Sequence, residues 1–309
     1  MVGIWMHYNI HQKLIVTVLL IYGELMFNLW NYFKFIAFLL LSSMVSSSFA
    51  SKLTTSENRV ISYTDVGEGK PIVLIHAFPT DQRLWEPQRK GLKQYFRIIT
   101  LDLWGFGESS QTDGQAVTMI EYAAEIKELL EQLHIQSAII GGESMGGYIA
   151  LAFLEQYPEK VDGLILSNTQ SIADSDETKK NREASAVDVL DHGTTHLIEG
   201  FMIKALSAAA SEQTKVLLRA ITEAQTPMGI ASALRGMSLR NDTSNLFAMT
   251  TIPVLLITGE QDIVIPPQRS KDMHELAKNS TLLSIDNAGH LSNLEQSEQW
   301  NQAVIGLFY

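Results

Sequence analysis

The chain has 309 residues, an ordinary globular composition, a formal charge of −11 and no cysteine. The length accommodates one core of about 250 residues plus an appendage. The acidic balance, carried beyond residue 50, argues against nucleic acid or an anionic membrane surface as partner, and the missing cysteines exclude disulfides, a thiolate nucleophile and cysteine-based zinc sites.

Residues 1–50 read as a leader outside the fold. Two short apolar runs, 14–21 and 35–41, flank a polar-aromatic linker, and Lys34, the apolar stretch 35–45 and the small residues Ser48 and Ala50 have the order of a signal peptide cut after Ala50. The expectation is export to the periplasm or beyond, with membrane anchoring of an uncleaved leader as the alternative. Initiation at Met26 would give the segment ordinary signal-peptide length.

From Arg59 the rhythm changes to short apolar runs separated by turns. Residues 60–64 alternate, and 71–76 and 97–102 are continuous apolar strands, a pattern for strands buried on both faces. Residues 119–133 read as an amphipathic helix with Ile120, Ala123, Ala124, Ile126, Leu130 and Leu133 inward and Glu121, Glu125, Glu128 and Glu131 in solvent. A strand ending at Gly141, a helix from 146 to 156 and a strand at 164–166 follow. Strands alternating with helices imply crossovers and a mostly parallel sheet. The alternation breaks over 170–250, where only helix-like segments occur, so a helical cap is expected there, inserted before the seventh strand. The core is then 51–169 and 251–309. Strands at 253–258 and 281–285 resume the sheet around a helix at 267–277. A final helix should run from Ser292 to Phe308, with Ser292 and Glu295 at capping-box spacing.

The chemistry centres on Gly142-Glu143-Ser144-Met145-Gly146, a G-x-S-x-G placed between a strand and a helix. The glycines allow a sharp turn that leaves Ser144 at the apex, beside the unpaired first amides of the helix. Asp262 follows the strand 253–258, and His290 follows the strand 281–285. Loops at the carboxyl ends of parallel strands open on one edge of the sheet, so the three residues can converge. A serine needs a histidine to take its proton, and that histidine needs a carboxylate to hold its tautomer. Glu260 and Asp286 are alternative carboxylates and His274 an alternative base. His192 and His196 have zinc-like spacing but lack the remaining ligands of a known site; no metal or cofactor is expected. Met202, Met228, Met237 and Met249 suit cap core or an apolar pocket wall.

In the order Ser144, Asp262, His290 and in its motifs, the chain resembles the α/β-hydrolases over roughly residues 59–309. His76-Ala77-Phe78-Pro79 is similar to that family's His-Gly-x-Pro loop, and the run from Asp102 to Ser109 to its Asp-x-Pro-Gly-x-Gly-x-Ser turn. The resemblance implies an oxyanion hole from the backbone N–H groups of Phe78 and Met145. His76 is expected to fix the loop by hydrogen bonding, with pocket lining as the alternative, Trp104 to line or support the pocket, and Asp102 to be structural. Ala77 and Trp104 depart from the family's glycine and proline. If position 77 requires positive φ, alanine there costs about 1 kcal/mol. A serine nucleophile separates the chain from dehalogenases and epoxide hydrolases of this fold. Thr169, the run 226–230 and the run 289–296 resemble 3-oxoadipate enol-lactonases and related esterases. The expected activity is carboxylic-ester hydrolysis on a small ester or lactone. Lactonase, C–C hydrolase and perhydrolase chemistry, and a non-turnover receptor on the same fold, are the alternatives.

Overall fold

The computed structural model describes Met26 and residues 50–309, so the expected leader lies outside the described residues. Eight strands form one sheet: β1 (Ser51–Thr54), β2 (Val60–Val66), β3 (Pro71–Ile75), β4 (Arg97–Leu101), β5 (Ala138–Glu143), β6 (Val161–Ser167), β7 (Val254–Gly259) and β8 (Ser280–Ile285). Their spatial order is β1-β2-β4-β3-β5-β6-β7-β8. The pairings β1–β2 and β2–β4 are antiparallel, and the rest are parallel. Every residue of β5 and β7 is buried, Glu143 and Thr258 included, as in strands covered on both faces. β1 was not expected: Ser-Lys-Leu-Thr is a short, polar edge strand with no hydrophobic signal.

Around the sheet lie α1 (Glu86–Leu92), α2 (Met119–Gln132), α3 (Met145–Gln156), α9 (Gln268–Leu276), α10 (Ser292–Glu295) and α11 (Ser297–Phe308). Between β6 and β7 come α4 (Asp176–His192), α5 (Thr195–Ala205), α6 (Glu212–Thr222), α7 (Pro227–Ser238) and α8 (Ser244–Met249). Among the described residues no helix is long and apolar enough to cross a membrane.

α2 differs from expectation in which face it buries. Tyr122, Glu125 and Leu129 join Ala123, Ile126 and Leu130 inside, while Ile120 is exposed. Glu125 turns inward because its carboxylate accepts the Trp104 N–H at 3.2 Å and lies 3.8 Å from Arg59 Nε. Arg59 in turn lies over the Trp104 ring. Burial pushes the Glu125 carboxyl up to about 7, against the opposing charge of Arg59.

α7 is pressed backbone to backbone against the core. A Cβ on Gly229 would lie 1.9 Å from the Gly105 carbonyl oxygen, and one on Gly236 1.7 Å from that of Val117, so only glycine fits at either contact. The Val117 N–H donates to the Ser232 carbonyl, and Gln225 bridges Asp81 and the Gly107 amide. α5 and α6 bury far less: Ile198 and Ala205 in one, Leu218, Ile221 and Thr222 in the other. Of the four methionines expected in the cap core, Met237 is buried, whereas Met228 and Met249 are exposed because they lie on outward helix faces.

The final helix is broken at Gln296 (φ −130°, ψ 51°), and the capping box expected at Ser292 and Glu295 does not form. Ser292 Oγ donates instead to Asn168 Oδ1 at 2.6 Å, and the Glu295 carboxylate takes the amides of Gly289 and Ser207.

Candidate active site

The elbow between β5 and α3 places Ser144 in a conformation that few residues adopt, φ 55° and ψ −112°. Such backbone costs on the order of 1–3 kcal/mol and persists only where its surroundings over-determine it. Here the Ser144 N–H donates to Ser167 O, and the Ser144 carbonyl accepts from the Gly147 amide and from Thr169 Oγ1. Both flanking glycines are required for space. A Cβ at Gly142 would meet the Gly146 carbonyl at 2.1 Å, and one at Gly146 the Ile75 carbonyl oxygen at 2.1 Å.

Three loops at the carboxyl edge of the sheet bring Ser144, His290 and Asp262 together. His290 Nε2 lies 2.8 Å from Ser144 Oγ, and His290 Nδ1 lies 2.9 Å from Asp262 Oδ2. A carboxylate at Nδ1 fixes that nitrogen as the donor, leaving Nε2 to accept from the serine hydroxyl. Asp262 is held by three further donors: the Val264 and Ile265 amides on Oδ1, and Asn168 Nδ2 on Oδ2. His290 and Asp262 are almost wholly buried, and Ser144 is 8% exposed, enough to meet a ligand. Glu260 and Asp286 do not enter this chain, and His274 bonds to Ser280 on the surface.

Asn168 was not singled out in the sequence, yet it is the hub. From a left-handed conformation (φ 47°) at the end of β6, its amide donates to Asp262 and to the Gly289 carbonyl and accepts from Ser292. A polar residue ending a buried strand is the only sequence signal it carries. Glu143 was also missed. It is fully buried beside Ser144, and burial, reinforced by the charges of Asp262 and Glu295, pushes its carboxyl well above the usual range.

Met145 opens α3, so its amide has no intrahelical acceptor. Among the described residues neither it nor the Phe78 amide donates to a protein acceptor. Ala77 does not have positive φ, and the anticipated strain there is absent.

His76 holds loops together, the role first expected of it, and neither it nor Trp104 lines the cavity. His76 is fully buried: its Nε2 accepts the Leu103 amide at 3.1 Å and its Nδ1 donates to Ala77 O. Burial lowers its pKa below the ordinary imidazole range, so it ties two loops together as a neutral ring. Trp104 faces Arg59 and donates from Nε1 to Gln111 O, away from the cavity. Asp102 is structural, as expected, accepting from the Gln82 and Glu108 amides.

Ser144 and His290 open into a cavity of about 570 Å³, walled by Phe78, Tyr148, Phe201, Met237 and Arg182 among others. That volume lies in the usual range for small-molecule sites. A second chamber of about 580 Å³ shares Phe78, Phe201 and Val264 with it and reaches His196. His192 and His196 both lie against Asp188 on the surface. Among the described residues no group of metal-ligating side chains is assembled.

With this sheet, this elbow and the helices between β6 and β7, the chain belongs to the α/β-hydrolase family of hydrolytic enzymes; the alpha/beta hydrolase fold matches residues 70–220, and a family described as TAP-like protein matches 236–308. Among solved structures it is similar to a malate-bound thermophilic esterase from Thermogutta terrifontis, with 32% identity, a TM-score of 0.80, and coverage of 83% of this chain and 97% of that one. It is 28% identical to a 3-oxoadipate enol-lactonase of Acinetobacter baylyi, over 76% of this chain and 87% of the relative. It is 27% identical to an (E)-2-((N-methylformamido)methylene)succinate hydrolase of the same organism, over 82% and 95%.

Proposed function

We propose that this protein is a serine hydrolase that cleaves a small carboxylic ester through an acyl-enzyme. The observation that carries the reading is the unbroken hydrogen-bond chain from Ser144 through His290 to Asp262 at the floor of a ligand-sized cavity. His290 Nε2 takes the Ser144 proton as Oγ attacks the carbonyl carbon. Asp262 keeps the ring oriented and stabilises the imidazolium. The negative charge on the carbonyl oxygen is met by the free amides of Phe78 and Met145, the latter aided by the N-terminus of α3. His290 then protonates the leaving alcohol, and water repeats the sequence on the acyl-enzyme. Likeness to an enol-lactonase supports a lactone as the second substrate form; it uses the same steps, with the leaving alcohol remaining tethered to the acyl group.

The test is initial-rate hydrolysis of p-nitrophenyl esters from acetate to palmitate by the full chain, with Ser144→Ala alongside. Hydrolysis should peak at a short or medium acyl chain and fall by about 10³-fold or more in the variant. Equal rates from both proteins would overturn the serine mechanism.

A further inference from the structure

Beside the serine, the cavity wall carries a charge cluster that is unevenly filled. Asp174 is buried on the segment entering α4 and is shared by two guanidinium groups: Arg182 Nε lies 2.5 Å from Oδ2, and Arg240 Nη1 lies 2.6 Å from Oδ1. Two cations thus meet one anion, in a chain whose overall charge is −11. The two arginines are not equivalent. Arg240 is sealed in, its remaining donors directed at the carbonyls of Met237 and Ile172 and its plane stacked 4.1 Å from the Tyr148 ring. Arg182 lines the cavity; its Nε and Nη2 both face Asp174, and among the described residues its one other hydrogen bond is a weak one from Nη1 to Met237 Sδ at 3.4 Å, which leaves one N–H on each Nη without a protein acceptor. The next carboxylate toward Arg240, Asp242, is exposed and occupied with the Ser244 amide. Arg269 also lines the cavity, but it is paired with Asp272 at 3.7 Å and adds no net charge to the cluster. Among the residues lining the cavity, Asp174 is the only carboxylate.

A partly buried guanidinium with unspent donors, in a cluster with one net positive charge, is completed by an anion. We propose that Arg182 is the anchor for a carboxylate on the substrate, remote from the bond that is cleaved, so that the preferred substrate is an ester or lactone of a dicarboxylic acid. The proposal rests on the esterase reading above. A single excess positive charge matches a monoanionic carboxylate better than a phosphate, which carries up to two charges at neutral pH. The planar fork of Arg182 suits a carboxylate, and the apolar walls of Phe78, Phe201 and Met237 suit the carbon chain between it and the ester.

The experiment compares mono-p-nitrophenyl glutarate with p-nitrophenyl valerate, two esters of equal acyl length differing in a terminal carboxylate. The full chain is used, and the rate with Ser144→Ala is subtracted to remove self-hydrolysis by the substrate's own carboxylate. The glutarate ester should have the higher kcat/KM. Arg182→Met should cut the glutarate-to-valerate ratio by about tenfold or more, mainly through KM, the ~1.4 kcal/mol or more expected from one lost charge-assisted hydrogen bond. Arg182→Lys, which keeps the charge beside Asp174, should retain part of the preference and guards against misfolding as the explanation. A second readout needs no turnover: calorimetric binding of glutarate to Ser144→Ala, lost when Arg182→Met is added. A ratio unmoved by Arg182→Met, or a preference for valerate, overturns the carboxylate anchor and leaves the esterase standing. Arg182-dependent glutarate binding without hydrolysis of either ester supports the anchor and overturns the esterase reading instead.

Discussion

Glu125 shows how one side chain can set the response of the molecule to pH. An unfolded glutamate ionises near 4.5, whereas burial holds this one protonated up to about 7. Below the lower value both states keep the proton and the residue contributes no pH dependence. Between the two values the unfolded state loses its proton first, so stability falls as pH rises, by at most about 3 kcal/mol in total. Glu125→Gln still offers an oxygen to the Trp104 amide and has no proton to lose. Its urea midpoint should therefore gain on the parent protein between about pH 5 and about pH 8. The same residue marks a limit of reading periodicity. Four glutamates on a helix look like one solvated face, and only the tertiary neighbours Trp104 and Arg59 show that one of them turns inward. Ser144, Asp262 and His290 were legible because each follows a recognisable strand. Asn168, Asp174 and Arg182 were not, because their roles depend on partners far away in sequence.

At the scale of the element, the elbow is the least forgiving part of the chain. Gly146→Ala forces a methyl group onto the Ile75 carbonyl, and β3 and α3 must part to admit it. A loss of about 2–3 kcal/mol in unfolding free energy by urea titration is expected. Ester hydrolysis should fall further than stability explains, because the Met145 amide moves with the first turn of α3. Helix ends give a sharper lesson in legibility. Thr118 and Glu121 form a true capping box at the start of α2, each side chain satisfying the other's backbone. Ser292 and Glu295 have the same spacing, yet their oxygens are taken by Asn168, Gly289 and Ser207. A local motif describes what a side chain does when nothing else competes; next to a buried site, tertiary partners compete and prevail.

Across the whole molecule, the strand order and the position of the helical insertion follow from the alternation of apolar runs, since crossovers between parallel strands leave few other solutions. The internal unevenness of that insertion does not. α7 is bound to the core through Gly229 and Gly236, whereas α5 and α6 bury only a few side chains each. Among the helices between β6 and β7, amide hydrogen exchange should accordingly be slowest over α7, which buries eight residues, close to the protection of β5 and β6, and faster over the other four, which bury three or fewer each. Uniform protection across all five helices would refute this order.

The hydrogen bonds around Asn168 also impose an order in time. Ser144 is translated 146 residues ahead of His290, and Asn168 is 94 residues ahead of the Asp262 that it holds. A growing chain can thus build β3 to β6 and the strained elbow while the serine still has no proton acceptor. Pairings so distant in sequence form late, since long loops must close first. For nearly half of its synthesis the nascent chain holds Ser144 without its histidine, so on the proposed mechanism the nucleophile stays unarmed until the loop after β8 docks on Asn168.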